Sequence, residues 1–189
     1  MARNEHRRAQ LADAGIELLA ETGARGLTHR AVDARAGVPL GTASNYFPSR
    51  QALIEALVTR IGERLTPDPS VQARLSSHEP SRRVFADYVR DIIARLTTHR
   101  AVTLALFELR LESARNPEVA ALMAGWQRSG FEGDVAFNKA AGLPGDKREI
   151  ALFHYAIDGL IFDRLTQPID GATSTDEVVD ALVEGLLRD

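Results

Sequence analysis

From Leu11 to Leu187, apolar side chains recur every three or four residues, and glycine or proline interrupts the pattern wherever a helix must end. No stretch alternates apolar and polar residues in the manner of a half-buried strand. No Asn-Gly or Asp-Gly hairpin turn sits between such runs. A chain patterned this way can bury its apolar surface only by packing helix on helix, so the expected fold class is all-α. With 189 residues and 44% hydrophobic composition, burial is sufficient to drive folding. The absence of cysteine excludes disulfides, a thiol nucleophile and thiolate zinc sites.

The breakers give the order of helices. The first runs over about 4–22, with Gly23 placed for a left-handed C-terminal cap. Thr28 caps a second, 29–36, which Gly37 ends. Val38-Pro39 restricts Val38 to extended angles and starts a short third helix at Pro39, which Pro48 closes. Ser49 caps a fourth, 50–65. Thr66-Pro67-Asp68-Pro69-Ser70 is the one linker, since two prolines this close cannot continue a helix. At most a two-turn helix fits before His78-Glu79-Pro80. Longer helices are then expected over 81–97, 99–115, 117–141 and 146–166. A last one starts at Ser174, where Glu177 completes a capping box.

Two short helices meeting at Gly37-Val38-Pro39 have helix-turn-helix spacing. The second carries Gly41, Thr42, Ser44, Asn45 and Tyr46. Small polar groups make a poor core helix but a good reader of a major groove, where hydroxyls and an amide bond base edges and glycine admits close approach. Arg30 and Arg50 flank it, placed to hold phosphates. The same spacing also fits an ordinary helical corner with a solvated face. Charge is uneven: residues 1–60 hold eight arginines against six acids, and residues 61–189 hold 15 bases against 20 acids, within a net charge of −3. Nine of the eleven aromatics lie beyond residue 60.

Gly26-Leu27-Thr28, Ala36-Gly37-Val38-Pro39-Leu40-Gly41-Thr42 and Asn45-Tyr46-Phe47-Pro48-Ser49-Arg50-Gln51-Ala52-Leu53 resemble the DNA-binding head of TetR-family transcriptional regulators. Residues 14–23 resemble that family's first helix. The resemblance covers about residues 8–60, in four consecutive elements. It implies a three-helix head over residues 1–48, a connecting helix over 49–66, and a ligand-binding and dimerisation body over 67–189. It implies phosphate contacts from Thr28, His29 and Arg30, groove-facing positions at Leu40, Gly41, Thr42, Ser44 and Asn45, and trailing phosphate contacts from Tyr46 and Arg50. Ser44 stands where many relatives carry an aromatic, and Arg50 where lysine is usual. The implied partners are an operator in double-stranded DNA, a second copy of the chain and a small-molecule effector. The implied role is that of a repressor binding a pseudo-palindromic operator as a homodimer and released by a mainly apolar ligand.

In the body, Phe85, Tyr88, Phe107, Leu111, Trp126 and Phe131 are candidate pocket walls, with Glu108, His154 and Asp158 as polar anchors; each also fits a core or solvated position. Leu152, Tyr155, Gly159 and Phe162, with Val179, Leu182, Val183 and Leu186, form two stripes for a four-helix dimer interface. The alternative is that both stripes face the chain's own core. His154 and Asp158, four apart on one helix, could both ligate a metal, and a metal-dependent helical enzyme is one competing reading. No second ligand cluster answers them, and neither a phosphate loop nor a Gly-x-Ser-x-Gly elbow is present. No catalytic residue, metal or cofactor is therefore expected. A helical interaction protein that does not bind DNA is the other competing reading. Residues 1–15 lack the apolar core of a secretory signal, so the expected location is the cytoplasm.

Overall fold

The computed structural model describes residues 2–188, and among them there are ten helices and no strand. The chain divides into two compact units, residues 1–66 with 99–127, and residues 67–98 with 128–189.

The first unit holds α1 (Ala2–Gly26), α2 (His29–Ala36), α3 (Thr42–Tyr46), α4 (Arg50–Arg64), α7 (Arg100–Ser113) and the start of α8 (Pro117–Ala140). Where the sequence pattern ends a helix at Thr22, the chain breaks at Gly23 (φ 68°, ψ −177°) and then turns once more to Gly26. A side chain at Gly23 would be strained and would crowd the Glu108 carboxylate. Thr28 caps α2, its hydroxyl accepting from the Ala31 N–H at 3.1 Å, and Ser49 caps α4 in the same way from Ala52 at 3.0 Å. The third helix begins at Thr42 rather than Pro39. Residues 39–41 form a turn instead, with the Thr42 N–H on the Pro39 carbonyl and Gly41 left-handed at φ 89°.

Leu11, Leu19, Leu27, Phe47, Leu53, Leu57 and Ile61 are fully buried together. A Cβ at Gly15 would lie 2.9 Å from a Leu57 methyl, so that glycine is what lets α1 and α4 cross this closely. α7 packs on α1 and α4 through Val102, Ala105, Leu106 and Leu109. That apolar face is why the core of the first unit extends beyond the N-terminal helices.

The second unit holds α5 (Pro69–Ser76), α6 (Arg82–Thr98), the later part of α8, α9 (Lys147–Leu165) and α10 (Thr175–Leu186). α6 packs against α5, α9 and α10. Capping boxes start α9 (Asp146 with Glu149) and α10 (Ser174 with Glu177). The buried Asn138 amide donates to the carbonyls of Leu143, Pro144 and Gly145 and so holds the turn between α8 and α9. Glu149, also buried, accepts the Asp146 N–H with one oxygen and the Arg188 N–H with the other, each at 2.8 Å.

Val179 and Val183, assigned above to a dimer stripe, are buried within the single chain, on the face of α10 that packs against α6 and α9. They are core residues. Arg90 of α6 fixes that packing, pairing with Asp176 at 2.9 Å and with Asp180.

Candidate nucleic-acid interface and an interior cavity

The polar face of the first unit is built around its shortest helix. Ala43 and Phe47 turn inward and are fully buried, with Val32 of α2 beneath them. Helical geometry then forces Ser44 and Asn45 outward, and Leu40, in the turn before the helix, is 75% exposed, an unusual place for a leucine. The Thr42 hydroxyl donates to the Pro39 carbonyl at 2.5 Å and the Ser44 hydroxyl to the Gly41 carbonyl at 2.9 Å. With their protons so engaged, both oxygens keep lone pairs with which to accept, Ser44 exposed and Thr42 half-buried. Thr28 and Arg30, at the start of α2, are exposed as well, and Tyr46 is half-buried.

Two of the implied phosphate-binding side chains make internal contacts. The Arg50 guanidinium donates to the carbonyls of Leu27 and, at 2.6 Å, Ala24. It thereby satisfies carbonyls orphaned where α1 ends. One ring nitrogen of His29 (Nε2) lies 2.7 Å from the Phe47 carbonyl. Both are internal latches in this structure, and a phosphate role for either requires that the latch open or share its remaining donors. The reason is that each faces backbone carbonyls left over at a helix end, which compete for the same donors as a phosphate.

Further pins reach α3 and α2. Arg8 of α1 donates to the Tyr46 carbonyl at 3.2 Å and lies over the Phe47 ring. Gln10 donates to the Ala36 carbonyl at 2.9 Å. Arg35 of α2 bridges Glu17 and Glu21 of α1, and the hydrogen bond from Arg35 holds the Glu21 carboxyl below its ordinary pKa. Asp33 was given no role by the sequence. It is 2% exposed and accepts the Gly41 N–H at 2.7 Å and the Ala43 N–H at 2.6 Å.

A cavity of about 280 Å³ opens within the second unit. Phe85, Tyr88, Val89, Ile92, Phe137, Phe153 and Ile157 give it an apolar wall. Phe85 meets Phe153 edge-on at 4.8 Å, and Tyr88 meets Phe137 at 5.2 Å. Burial raises the Tyr88 phenol pKa, so the hydroxyl stays neutral. Polar groups gather at two places. Asp91 and Arg95 pair at 2.5 Å, and the Arg95 Nε is buried without a partner. His154 pairs with Asp134 at 3.1 Å.

Of the residues expected to line a pocket, this cavity brings together Phe85, Tyr88 and His154. Phe131 does not line it but packs edge-on against His154, at 5.4 Å. Asp158 is half-buried one turn further along α9. The others lie elsewhere. Phe107, Glu108, Leu111 and Trp126 belong to the first unit, where α7 and the start of α8 pack. Trp126 rests against that unit's core beside Gly62, and Leu111 is 54% exposed. Among the described residues, no group of three or more His, Asp or Glu side chains is placed to hold a metal ion. No helix among them is long and apolar enough to cross a membrane.

Residues 11–57 match the family described as bacterial regulatory proteins, tetR family, and residues 80–189 match the tetracyclin repressor-like C-terminal domain. The HTH-type transcriptional regulator UidR of Escherichia coli (strain K12) is 30% identical over 118 residues, covering 61% of this chain and 56% of that one. The HTH-type transcriptional regulator BetI of Paraburkholderia phytofirmans is 29% identical over 125 residues, covering 66% and 55%. The chain thus spans about half the length of the curated relatives it matches. Among solved structures, a TetR-family member from Streptomyces coelicolor A3 superposes with a TM-score of 0.72 at 25% identity, covering 97% of this chain and 99% of that one. The multidrug binding protein EbrR complexed with malachite green superposes with a TM-score of 0.65 at 26% identity, covering 95% of each.

Proposed function

Since this chain belongs to the TetR family of bacterial regulatory proteins, whose members are transcriptional regulators and not enzymes, we propose that it is a homodimeric repressor that reads a pseudo-palindromic operator and leaves it when a mainly apolar small molecule occupies the body. The observation that carries the DNA reading is the exposed set of Leu40 in the turn and Ser44 and Asn45 on α3, with Thr42 half-buried beside them, on a helix tied to its scaffold at both ends. Asn45 is suited to a bidentate contact with adenine, and the hydroxyl oxygens to cytosine or adenine amino groups. Gly41 admits close backbone approach. Thr28, Arg30 and Tyr46 take the flanking phosphates, which set affinity and salt dependence rather than sequence. Arg50 and His29 support them as latches.

One such helix covers only a few base pairs, so useful specificity requires two copies about a two-fold axis. Tyr155 and Phe162 of α9 are 72% and 53% exposed, a large apolar surface to leave in water. Leu152 lies half-buried on the same helix, and Gly159 has open space where a side chain would be, which suits a close helix crossing. Leu182 and Leu186 of α10, also half-buried, complete the proposed isologous face.

The effector reading rests on the apolar cavity of the second unit. EbrR is described as binding multiple drugs, malachite green among them, and the aromatic walls here suit a flat apolar ligand of modest size. α6 walls the cavity and runs through His99 directly into α7, which packs on α1 and α4. A ligand that favours one setting of α6 thereby biases the head. A coupling of about 1–3 kcal/mol is enough to change operator occupancy several-fold or more.

The test is selection of bound fragments from random duplex DNA by the purified protein. A two-fold symmetric motif with half-sites spaced by the helical repeat is expected. Recovery of no motif, with binding that tracks only DNA length and salt, would remove the reading.

A further inference from the structure

The reading helix is one turn long, five residues from Thr42 to Tyr46. A segment that short has no helical stability of its own in water. Its N-cap is Gly41, which offers no side-chain oxygen to the open N–H groups of the first turn. The Thr42 N–H goes to the Pro39 carbonyl. The Gly41 and Ala43 N–H groups go to one carboxylate, that of Asp33 in the preceding helix. Both Asp33 oxygens are thereby taken by backbone amides, inside a core where an unbonded carboxylate would be costly. Its negative charge also faces the positive end of the helix it holds. At the opposite end, Arg8 and His29 engage the carbonyls of Tyr46 and Phe47.

We propose that Asp33 is a positioning residue for DNA recognition: a cap supplied from the supporting helix that fixes the register of α3, and with it the outward aim of Thr42, Ser44 and Asn45. This rests on the DNA-reading role proposed above. Asp33 itself touches no DNA. Its contribution is to specificity, because a base edge is recognised only when donors and acceptors lie within a few tenths of an ångström of their partners, whereas a phosphate tolerates a looser helix. The apolar seam of Val32, Ala43 and Phe47 remains without it, so the head keeps its fold while α3 loses its register.

The experiment uses the full chain, the motif selected from random DNA, and a scrambled duplex of equal length at one fixed salt concentration. Asp33→Asn replaces one acceptor by an NH₂ that meets an N–H head-on, and Asp33→Ala removes both acceptors. Each variant is expected to lose affinity for the selected motif by tenfold or more while binding to the scrambled duplex changes less than twofold. Amide hydrogen exchange at Gly41 and Ala43 is expected to accelerate by tenfold or more, with core amides such as Leu53 unchanged. A proportional fall on both duplexes would assign Asp33 to general stability and overturn the proposal. So would unchanged specificity in a folded variant. Exchange is measured without DNA, so it separates this claim from the reading beneath it. If wild-type protein selects no motif, the DNA reading fails and takes the specificity role with it. Exchange at Gly41 and Ala43 unaltered in Asp33→Asn would instead overturn the cap itself. Should Asp33→Ala not fold, Asp33→Asn decides.

Discussion

The two ends of the proposed mechanism are built from opposite materials. In the reading head, polar side chains hold backbone: Asp33 on Gly41 and Ala43, Arg8 on Tyr46, His29 on Phe47, Arg50 on Ala24 and Leu27. Around the cavity, aromatic rings meet rings and the polar groups pair with each other. Directional bonds specify one geometry, as base recognition demands. Apolar walls tolerate several occupants, because dispersion and hydrophobic contact are not directional. On the proposed reading, the head is thus built to be exact about DNA, and the cavity to be permissive about ligands.

The largest expected effect comes from removing the apolar side chain that anchors the end of α3 in the head's core. Phe47 is fully buried, under the Arg8 guanidinium. Phe47→Ala is expected to cost about 3–5 kcal/mol, seen as a lowered thermal midpoint, and to abolish DNA binding. A variant of unchanged stability would show that the polar pins alone hold α3.

Next in size is assembly. Leu182→Arg and Gly159→Leu each place bulk or charge on the proposed dimer face while leaving Val179 and Val183 in the chain's core. Sedimentation equilibrium is expected to show folded monomers or a weakened dimer, with specific DNA binding reduced accordingly. A dimer untouched by both substitutions means the contact lies elsewhere.

A third change separates the regions. Ile92→Trp fills part of the cavity. It is expected to eliminate the response of operator binding to apolar ligands found by thermal shift, while affinity for DNA without ligand changes less than about twofold. Loss of DNA binding along with the response would make the cavity wall structural.

How much of this was legible in the sequence differs between the regions for physical reasons. The turn at Gly37-Val38-Pro39, the caps at Thr28, Ser49 and Ser174, and the exposure of Ser44 and Asn45 were readable, because caps and helical faces are local. Asp33 was not. An acid inside an eight-residue helix reads as a solvated face, and its partners lie eight and ten residues on, across a turn. The one local sign was Gly41, a glycine that cannot cap the helix it begins, but the sequence pattern started that helix at Pro39. α10 is apolar on two sides, so spacing identified Val179, Leu182, Val183 and Leu186 as apolar without showing which face the chain itself would bury. The cavity was missed in part for a related reason. Aromatic spacing marks Phe107 and Trp126 as strongly as Phe85, but the packing of α7 on α1 and α4 puts the first two with the head. Phe137, Phe153 and Arg95 carried no signal that set them apart from core or surface.

The smallest effect is at the start of α10. Hydrogen bonds from the Ser174 N–H and hydroxyl hold the Glu177 carboxyl below its ordinary 4.5. The folded form therefore favours the carboxylate, and this contribution is fully present above pH 4.5. It is lost as pH falls through the lowered folded value. Chemical denaturation between pH 6 and pH 3 should show part of the acid weakening removed by Glu177→Gln. An identical pH profile in that variant would mean the box contributes nothing measurable.

If Asn45 and its neighbours on α3 read base edges, repeating the random-duplex selection with Asn45→Ala shows it. A motif of the same symmetry and spacing is expected, with preference lost at one base pair in each half-site. A motif unchanged at every position would contradict it.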